Sequence, residues 1–177
     1  MKTPQLANLL GALSLALADA QMAAAREASG MSPSACAALV TLGASPGATI
    51  GALARVLGLS HSVTVRIVEG LVEAGLVERV AGADRREVAL RLSPKGADLR
   101  GAILGARAAS LDRALAVLPP DDQIGFGEML ATLLTGLTHG RREADHICRL
   151  CDEDACGLDI CPVEQQAVRL TPSPIVS

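Results

Sequence analysis

The sequence predicts a mainly α-helical fold that is interrupted once by a small β-hairpin. Half of the 177 residues are hydrophobic, yet Phe126 is the single aromatic residue, so Ala and Leu supply the apolar content, and both favour helix. Through most of the chain the apolar residues recur at the three-to-four spacing of one helix face. Between residues 76 and 92 the period changes to two, which is typical of strands.

The first 30 residues predict an amphipathic helix that ends at Gly30. Its apolar positions recur at helical spacing and are Leu6, Leu9, Leu10, Leu13, Leu17 and Ala20. The alternative is a secretory signal peptide, because Lys2, an apolar stretch and the small residues around Asp19 loosely resemble its parts. The apolar run of about 13 residues is too short to span a bilayer. We therefore expect a helix of a cytoplasmic protein.

Three further helix signals follow in the first half of the chain. Ser32 as a capping residue and Pro33 in the first turn favour the start of a second helix. The stretch "ATIGALARVLGL" predicts a short helix that closes at Gly58. The stretch "SHSVTVRIVEGLVEAGL" predicts another, capped by Ser60 and ended by Gly75. Two helices joined by a tight glycine-containing turn form a helix-turn-helix.

The hairpin comes directly after this pair of helices. "LVERV" and "EVALRL" alternate and flank "AGADRR", which predicts two strands with a charged tip and hence a winged helix-turn-helix. "SPKGADLRGAILGARAASLDRALAVL" and "IGFGEMLATLLTGLTHG" predict two more helices on either side of "PPDDQ". Residues 141–177 lose this periodicity, and we expect their end, "TPSPIVS", to be mobile.

Charge is distributed unevenly along the chain, whose formal net charge is −3. Residues 46–95 hold seven Lys/Arg against five Asp/Glu, whereas residues 141–177 hold four Arg against seven acids. A modestly basic centre in an acidic protein indicates local contact with a polyanion. The near absence of aromatic residues argues against proteins that stack single-stranded DNA or RNA bases.

The second helix of the pair is the one that can fill a DNA major groove. We expect its packing face to consist of Val63, Ile67, Val68 and Leu71. The outward face then consists of Ser60, His61, Ser62, Val65, Arg66 and Glu69. Serines at a helix N-terminus suit phosphate oxygens, Arg66 can reach a guanine edge or a phosphate, and Val65 can contact a thymine methyl. The alternative is a merely solvated helix face, which the adjoining turn and basic wing disfavour.

The ordered combination of a helix-turn-helix, "GLVER" and the wing "GADRREVALRLSPKG" resembles the MarR family of bacterial transcription regulators. The resemblance runs from about residue 6 to residue 140. It implies that Arg85 enters the minor groove and that Asp84 orients it; with the neighbouring Arg86 they complete the predicted DNA-binding set. Many relatives carry threonine at Val65 and a basic residue at Gly70, so operator preference does not carry over from them.

The resemblance also implies a homodimer in which the first helix and the last two helices interleave. The wide apolar faces of "LANLLGALSLALA" and "MLATLLTGL" support this independently. A two-fold dimer would bind a pseudo-palindromic operator with half-sites about 10 base pairs apart. The expected parts are an N-terminal dimerisation helix (1–31), a winged helix-turn-helix core (32–95), C-terminal dimerisation helices (96–140), and a cysteine-rich metal-binding extension with a flexible tail (141–177).

That extension carries four of the five cysteines, Cys148, Cys151, Cys156 and Cys161. Their spacing, C-x2-C-x4-C-x4-C, equals that of the zinc knuckle with cysteine in the histidine place, so the loop can wrap one tetrahedral ion. Pro162 after the last cysteine also suits an iron–sulfur cluster. We expect a metal here, with zinc ahead of iron–sulfur. Structural disulfides are disfavoured in a reducing cytoplasm, and four unrelated thiols are the remaining alternative.

The fifth cysteine and the histidines carry weaker signals. Cys36 lies on an apolar helix face, where cysteine is most often a small buried hydrophobe rather than a peroxide sensor. The three histidines lie in unrelated segments, and neither a phosphate-binding glycine loop nor a nucleophile motif occurs in the sequence. We therefore expect no enzyme.

Together these features predict a dimeric repressor that binds double-stranded DNA and carries a structural metal site. The main alternative is a metal- or redox-responsive regulator in which the four-cysteine site controls DNA affinity. A further alternative is a protein-interaction module built on a winged-helix scaffold. The sequence allows for a small-molecule effector but does not identify one.

Overall fold

The computed structural model describes residues 2–82 and 88–171, and in that part of the chain it contains nine helices and one two-stranded antiparallel sheet. The predicted mainly α-helical class with a β-hairpin is confirmed. The helices are α1 (Thr3–Ser29), α2 (Pro33–Ala44), α3 (Ile50–Leu57), α4 (His61–Glu73), α5 (Pro94–Leu115), α6 (Pro120–Leu137), α7 (Arg141–Cys148), α8 (Glu153–Cys156) and α9 (Pro162–Leu170). The strands are β1 (Val77–Ala81) and β2 (Val88–Leu92).

Helix starts and ends follow local signals in the sequence. The side chains of four capping residues accept a backbone N–H from three positions further on; these residues are Ser32, Thr49, Ser60 and Ser93. Gly30 and Gly58 end α1 and α3 with φ of 68° and 67°, in the left-handed region that glycine adopts without strain. The predicted ends are thus confirmed. Helix α6, however, begins at Pro120, earlier than expected, because a proline and two acids suit its first turn.

Helix α2 forms the centre of the core. Every residue from Ala35 to Leu42 is buried, so this helix has no solvent-facing stripe over that stretch. The large, fully buried side chains around it come from α3, α4, β2 and α5 and are Leu53, Val68, Leu71, Leu90 and Ile103. The helix-turn-helix and the hairpin therefore share one rigid support.

Helix α1 packs along α5, where Arg107 Nε donates a hydrogen bond to Gln21 Oε1 at 2.9 Å. Ala25, in its C-terminal part, is buried in the main core. By length and hydropathy alone, this 27-residue helix is long and apolar enough to cross a membrane. The expectation that its apolar run is too short for that is therefore wrong, because the apolar character extends beyond the first leucines.

The C-terminal extension folds onto the body of the protein, although its sequence shows little periodicity. Helices α7 and α9 pack against each other around a small apolar cluster of Ala144, Cys161, Val163 and Ala167. Leu150 joins the main core instead. The sequence does not predict α7 and α9, because these helices are short and each buries only one or two apolar residues. Residues 172–177, predicted to be mobile, lie outside the described part.

Candidate nucleic-acid interface and cysteine-lined cavity

The turn between α3 and α4 is fixed by backbone geometry and by a neighbouring side chain. Three residues, 58–60, separate the two helices. The Leu59 N–H donates to Ala54 O at 3.0 Å and closes α3, while the Ser60 hydroxyl accepts from Val63 N and opens α4. A Cβ at Gly58 would lie only 3.1 Å from His146 Cε1, and its φ is positive. Glycine is therefore favoured at this point for two reasons, the positive φ and the close approach of His146.

The packing face of α4 differs from the predicted one by one residue. Val68 and Leu71 are buried and Ile67 packs partly against the core, as expected. Val63, however, is 40% exposed, so its assignment to the packing face is wrong. Thr64 is buried in its place, because its hydroxyl donates to Ser60 O at 3.0 Å and leaves no unsatisfied group in the core.

The outward side of α4 is polar and begins at the helix N-terminus. The predicted contact residues on this side that are exposed are Ser60, His61, Ser62, Arg66 and Glu69. Val65 is only half exposed, so less of it can reach a base than a fully outward side chain could. The hydroxyls of Ser60 and Ser62 lie 3.2 Å apart, close to the first free amides of the helix. Such an arrangement of hydroxyls and N–H groups suits phosphate oxygens.

The wing is tied to the helix-turn-helix by backbone hydrogen bonds. Strands β1 and β2 pair in the register Val77↔Leu92 to Ala81↔Val88. The segment before α3 adds to β2, since Gly47 N donates to Leu90 O at 2.9 Å and Leu90 N donates to Ala48 O at 3.0 Å. The two elements that are predicted to contact DNA are thereby held in a fixed relation. The predicted wing residues Asp84, Arg85 and Arg86 lie outside the described residues, and their roles stay predictions.

Several basic side chains of this region are exposed and available for contact. They are Arg55, Arg66, Arg79 and Arg91, and none forms a salt bridge with another described residue. Cations that are not neutralised by neighbouring acids can displace counterions from DNA phosphates. The region that sequence analysis found to be basic is thus also open to a polyanion.

The four clustered cysteines line one cavity of about 140 Å³ between the extension and helices α2 and α3. We call it the cysteine-lined cavity; its other walls include Val40, Thr41 and Val56. Cys161 is buried, Cys148 and Cys151 are half-buried, and Cys156 is exposed. Residues that are spread over fourteen positions of sequence therefore converge on one space.

The thiols of this cavity influence one another. Hydrogen bonding with Cys151 and burial raise the pKa of Cys148, whereas the same bond lowers the pKa of Cys151 to about 6, with help from the charges of Arg107 and Arg149. Burial and the Cys161 side chain raise the pKa of Cys156 to about 11. One thiol is thus favoured as a thiolate, the form that binds metals.

The four thiols line the same cavity, but they are not arranged around a common centre as metal ligands would be. Within residues 2–82 and 88–171, no three Cys, His, Asp or Glu side chains are already arranged to hold a metal ion. The metal at Cys148, Cys151, Cys156 and Cys161 therefore stays a prediction. Cys36, by contrast, lies fully buried with its Sγ 3.2 Å from Ser29 Oγ, as expected of a packing residue.

Sequence reasoning missed two residues beside the cavity. His146 Nδ1 lies 2.8 Å from Val56 O across 90 positions of sequence, and only its nearness to Cys148 could have drawn attention to it. Thr41 is buried, and its Oγ1 has no hydrogen-bond partner among the described residues. Nothing in the local sequence distinguishes this threonine from an ordinary helix residue.

Comparisons with known proteins agree with this architecture. A sequence profile of the MarR family matches residues 29–87. The HTH-type transcriptional regulator PetP of Rhodobacter capsulatus is 33% identical over 90 residues, which cover 50% of this chain and 54% of that protein. The chain thus spans about half the length of this curated relative.

Solved structures extend the likeness over most of the fold. A MarR family protein from Bacillus stearothermophilus is 26% identical with a TM-score of 0.66, covering 78% of this chain and 99% of its own. RV1404 from Mycobacterium tuberculosis, 22% identical, matches in fold with a TM-score of 0.67 and covers 75% and 92% of the two chains. The helix-turn-helix, the hairpin and the flanking helices are thus similar to those of MarR family structures, and the profile match lies in the helix-turn-helix and hairpin region, residues 29–87.

Proposed function

We propose that the protein is a cytoplasmic transcription regulator that binds double-stranded DNA in a sequence-specific manner, as a homodimeric repressor. The observation that carries the proposal is the exposed, N-capped polar face of α4 beside a rigidly attached wing. Similarity to the MarR family supports it, because MarR proteins are transcription regulators rather than enzymes. PetP, the curated relative, is itself described as a transcriptional regulator of the helix-turn-helix type.

In this proposal the N-terminal half of α4 enters the major groove. Ser60 and Ser62, together with the first amides of the helix, bind phosphate oxygens and set the register. Arg66 then contacts a base edge or a neighbouring phosphate. The wing residues Asp84, Arg85 and Arg86 are assigned to the adjacent minor groove by family resemblance.

The dimer is proposed from apolar surface that a single chain leaves open. On α1, the leucines at positions 6, 9, 10, 13 and 15 are 43–70% exposed. On α6, large apolar side chains between positions 124 and 137 are 39–71% exposed. Exposed apolar area on this scale favours burial against a second copy, and both helices are those that the family resemblance assigns to the interface.

The test is a binding titration on the promoter of the protein's own gene. We expect the full chain to shift this DNA and to discriminate against a scrambled duplex of equal length at physiological salt. Arg66→Ala should lose affinity, whereas Arg169→Ala, an exposed arginine on α9 far along the sequence, should not. Equal binding to promoter and scrambled DNA would contradict sequence-specific regulation. Repression would appear as increased expression of a promoter fusion in a strain lacking the protein.

A further inference from the structure

We propose that the four cysteines of the cysteine-lined cavity bind a thiolate-ligated metal centre, and that loading of this centre changes DNA affinity through the contact of α7 with α3. The inference rests on the proposed DNA-binding function and adds a signal to it. Zinc and an iron–sulfur cluster share the thiolate chemistry, and the test below separates them.

The donor set suits a thiolate-bound metal. Four thiols line one cavity of about 140 Å³, and the C-x2-C-x4-C-x4-C spacing lets a single loop supply all of them. Soft thiolates select zinc or iron–sulfur centres over harder cations. All four cysteines are free of disulfides, so each is available as a ligand.

A buried hydroxyl gives an independent indication that something polar occupies the cavity. Thr41 is 7% exposed, lines the cavity, and leaves its Oγ1 without a hydrogen-bond partner among the described residues. An unsatisfied buried hydroxyl is costly, which calls for a partner in that space. A metal-bound thiolate or a cluster sulfide would accept a hydrogen bond from it and be tuned by it.

The walls of the cavity carry charges of both signs, Arg141 and Arg149 against Asp145, Glu153 and Glu164. Four thiolates around a divalent ion leave a net charge of −2. Arg149 lines the cavity, and both Arg149 and Arg107 act electrostatically on Cys151. The guanidinium groups of Arg149 and Arg107 therefore offset part of the charge of the loaded site, and Glu153 opposes them.

Metal binding must change the loop, because the thiols are not yet arranged around a point. The segment from Cys148 to Cys161 contains only the four-residue helix α8 and a left-handed Gly157 with φ of 68°. Closing this segment around an ion orders the loop, so part of the binding free energy offsets the conformational entropy that the loop loses. Loading thus produces two states that differ in the position of α7 and its neighbours.

The contact that transmits this difference is His146. It lies two residues before Cys148 on α7, and its Nδ1 is within 2.8 Å of Val56 O in the last turn of α3. Because a carbonyl oxygen only accepts, Nδ1 is the protonated nitrogen and donates. The imidazole ring of His146 also lies against Gly58, at the turn that orients α4. Arg149 donates a hydrogen bond to the backbone oxygen of His146. His146 thereby connects the loop to α3 and to the turn that precedes the recognition helix.

The first experiment identifies the centre in the full chain purified without oxygen. Metal analysis and an absorption spectrum should give either a colourless protein with one zinc per chain or a brown protein with visible bands, iron and sulfide. Cys156→Ser should lose this metal, because it removes one of the four proposed thiolate ligands. Cys156 is exposed, so its replacement disturbs no packing. Ala155→Ser, which places the same side chain one residue earlier, should retain it. Wild-type protein without metal, or with a disulfide between these cysteines, would overturn the proposal.

The second experiment measures affinity for the promoter duplex at one salt concentration. The affinity of loaded protein should differ 5–150-fold from that of chelator-treated protein and of Cys156→Ser, the usual range for coupled sites. Ala155→Ser should match the loaded wild type. Equal affinities of loaded and metal-free protein would end the regulatory role. Failure of every form to bind any duplex would instead refute the proposed function and leave the metal content as an independent result.

A third experiment tests the route. His146→Leu should keep its metal, yet its affinity for DNA should no longer respond to chelation. His146→Asn retains a donor near the position of Nδ1 and should restore the response. Circular dichroism checks that both variants are folded. A full response in His146→Leu would show that coupling does not run through the α7–α3 contact.

Discussion

Arg66 is the exposed side chain on α4 that is best suited to contact a base. Arg66→Ala should cost about 1–3 kcal/mol of binding free energy and relax preference at one base position, if the guanidinium pairs with a base edge. Fluorescence anisotropy on a set of single-base operator variants measures both effects. Arg85→Ala serves as the contrast, since loss of a phosphate contact should weaken all sequences alike and lower the salt slope by about one. Unchanged affinity in both variants would refute the assignment of helix and wing.

Gly58 is the residue at which the turn tolerates no side chain. Gly58→Ala should destabilise the fold by about 1–2 kcal/mol, because an L-residue at φ of 67° is strained and its Cβ would press on His146. Gly70, on α4, is the matched control, since a Cβ there meets nothing within 4 Å and Ala should stabilise the helix by about 0.5–1 kcal/mol. Urea unfolding of the three proteins gives the comparison. Equal effects of the two substitutions would contradict the packing of His146 against the turn.

Single residues also show where sequence patterns fail. The packing face that apolar residues predict for α4 includes Val63 and does not include Thr64. The fold reverses them, because the threonine hydroxyl is satisfied within its own helix and the helix register then turns Val63 toward solvent. A side chain that satisfies itself locally behaves in a core like an apolar residue of the same size.

Among the elements, helices with local boundary signals were predictable and short helices were not. The caps at Ser32, Ser60 and Ser93 act within three residues, so the sequence alone locates them. Helices α7 and α9 are eight and nine residues long and are stabilised by contact with each other; α7 also contacts α3, and α9 also contacts α6. Isolated helices of that length are marginal, and nothing in the local sequence announces their packing partners.

One ion pair joins these two helices and makes their stability depend on pH. Arg141 donates to both carboxylate oxygens of Glu164, at 2.6 and 2.8 Å, and this lowers the pKa of Glu164 below its ordinary value of 4.5. A carboxyl with a lowered pKa stabilises the fold above its unfolded pKa and loses that effect as pH falls through the folded value. Since the pair is partly exposed, we expect it to contribute less than about 1 kcal/mol.

Glu164→Gln should therefore be less stable than the wild type at neutral pH and nearly equal to it well below pH 4.5. Thermal unfolding at the two pH values measures the difference. Glu143→Gln is the control, because Glu143 is exposed on α7 and has no salt bridge to another described residue. If the difference in melting temperature between the wild type and Glu164→Gln stays constant down to the lowest pH, the ion pair is not its cause.

At the scale of the whole molecule, the open apolar faces of α1 and α6 make assembly testable. Leu13→Asp places a charge in the proposed interface and should convert a dimer into a monomer, because an unpaired buried carboxylate is strongly disfavoured. Operator affinity should fall with it, since one half-site alone supplies half of the contacts. Analytical ultracentrifugation and anisotropy measure the two effects.

Val168→Asp makes the same change at another exposed apolar residue, on α9, and should leave the dimer intact. A monomeric wild type, or a dimer that withstands Leu13→Asp, would place the interface elsewhere.

The leucine-rich core and the wide apolar faces were both predictable from the sequence. The contact of His146 with Val56 was not, because two residues 90 positions apart share no local pattern and only the complete fold brings them together.

Leu150 completes the main core, which begins with Ala25 far upstream, and it lies between Cys148 and Cys151. Synthesis adds about 5–20 residues per second, so the hydrophobic core of the predicted DNA-binding region is complete only after Leu150 has been made. The first two thiols emerge with it, and the other two follow about a second later. Capture of the proposed metal would thus follow completion of the main core, once all four thiols have been made. Cells starved of the metal would accumulate folded protein that awaits loading rather than unfolded chains.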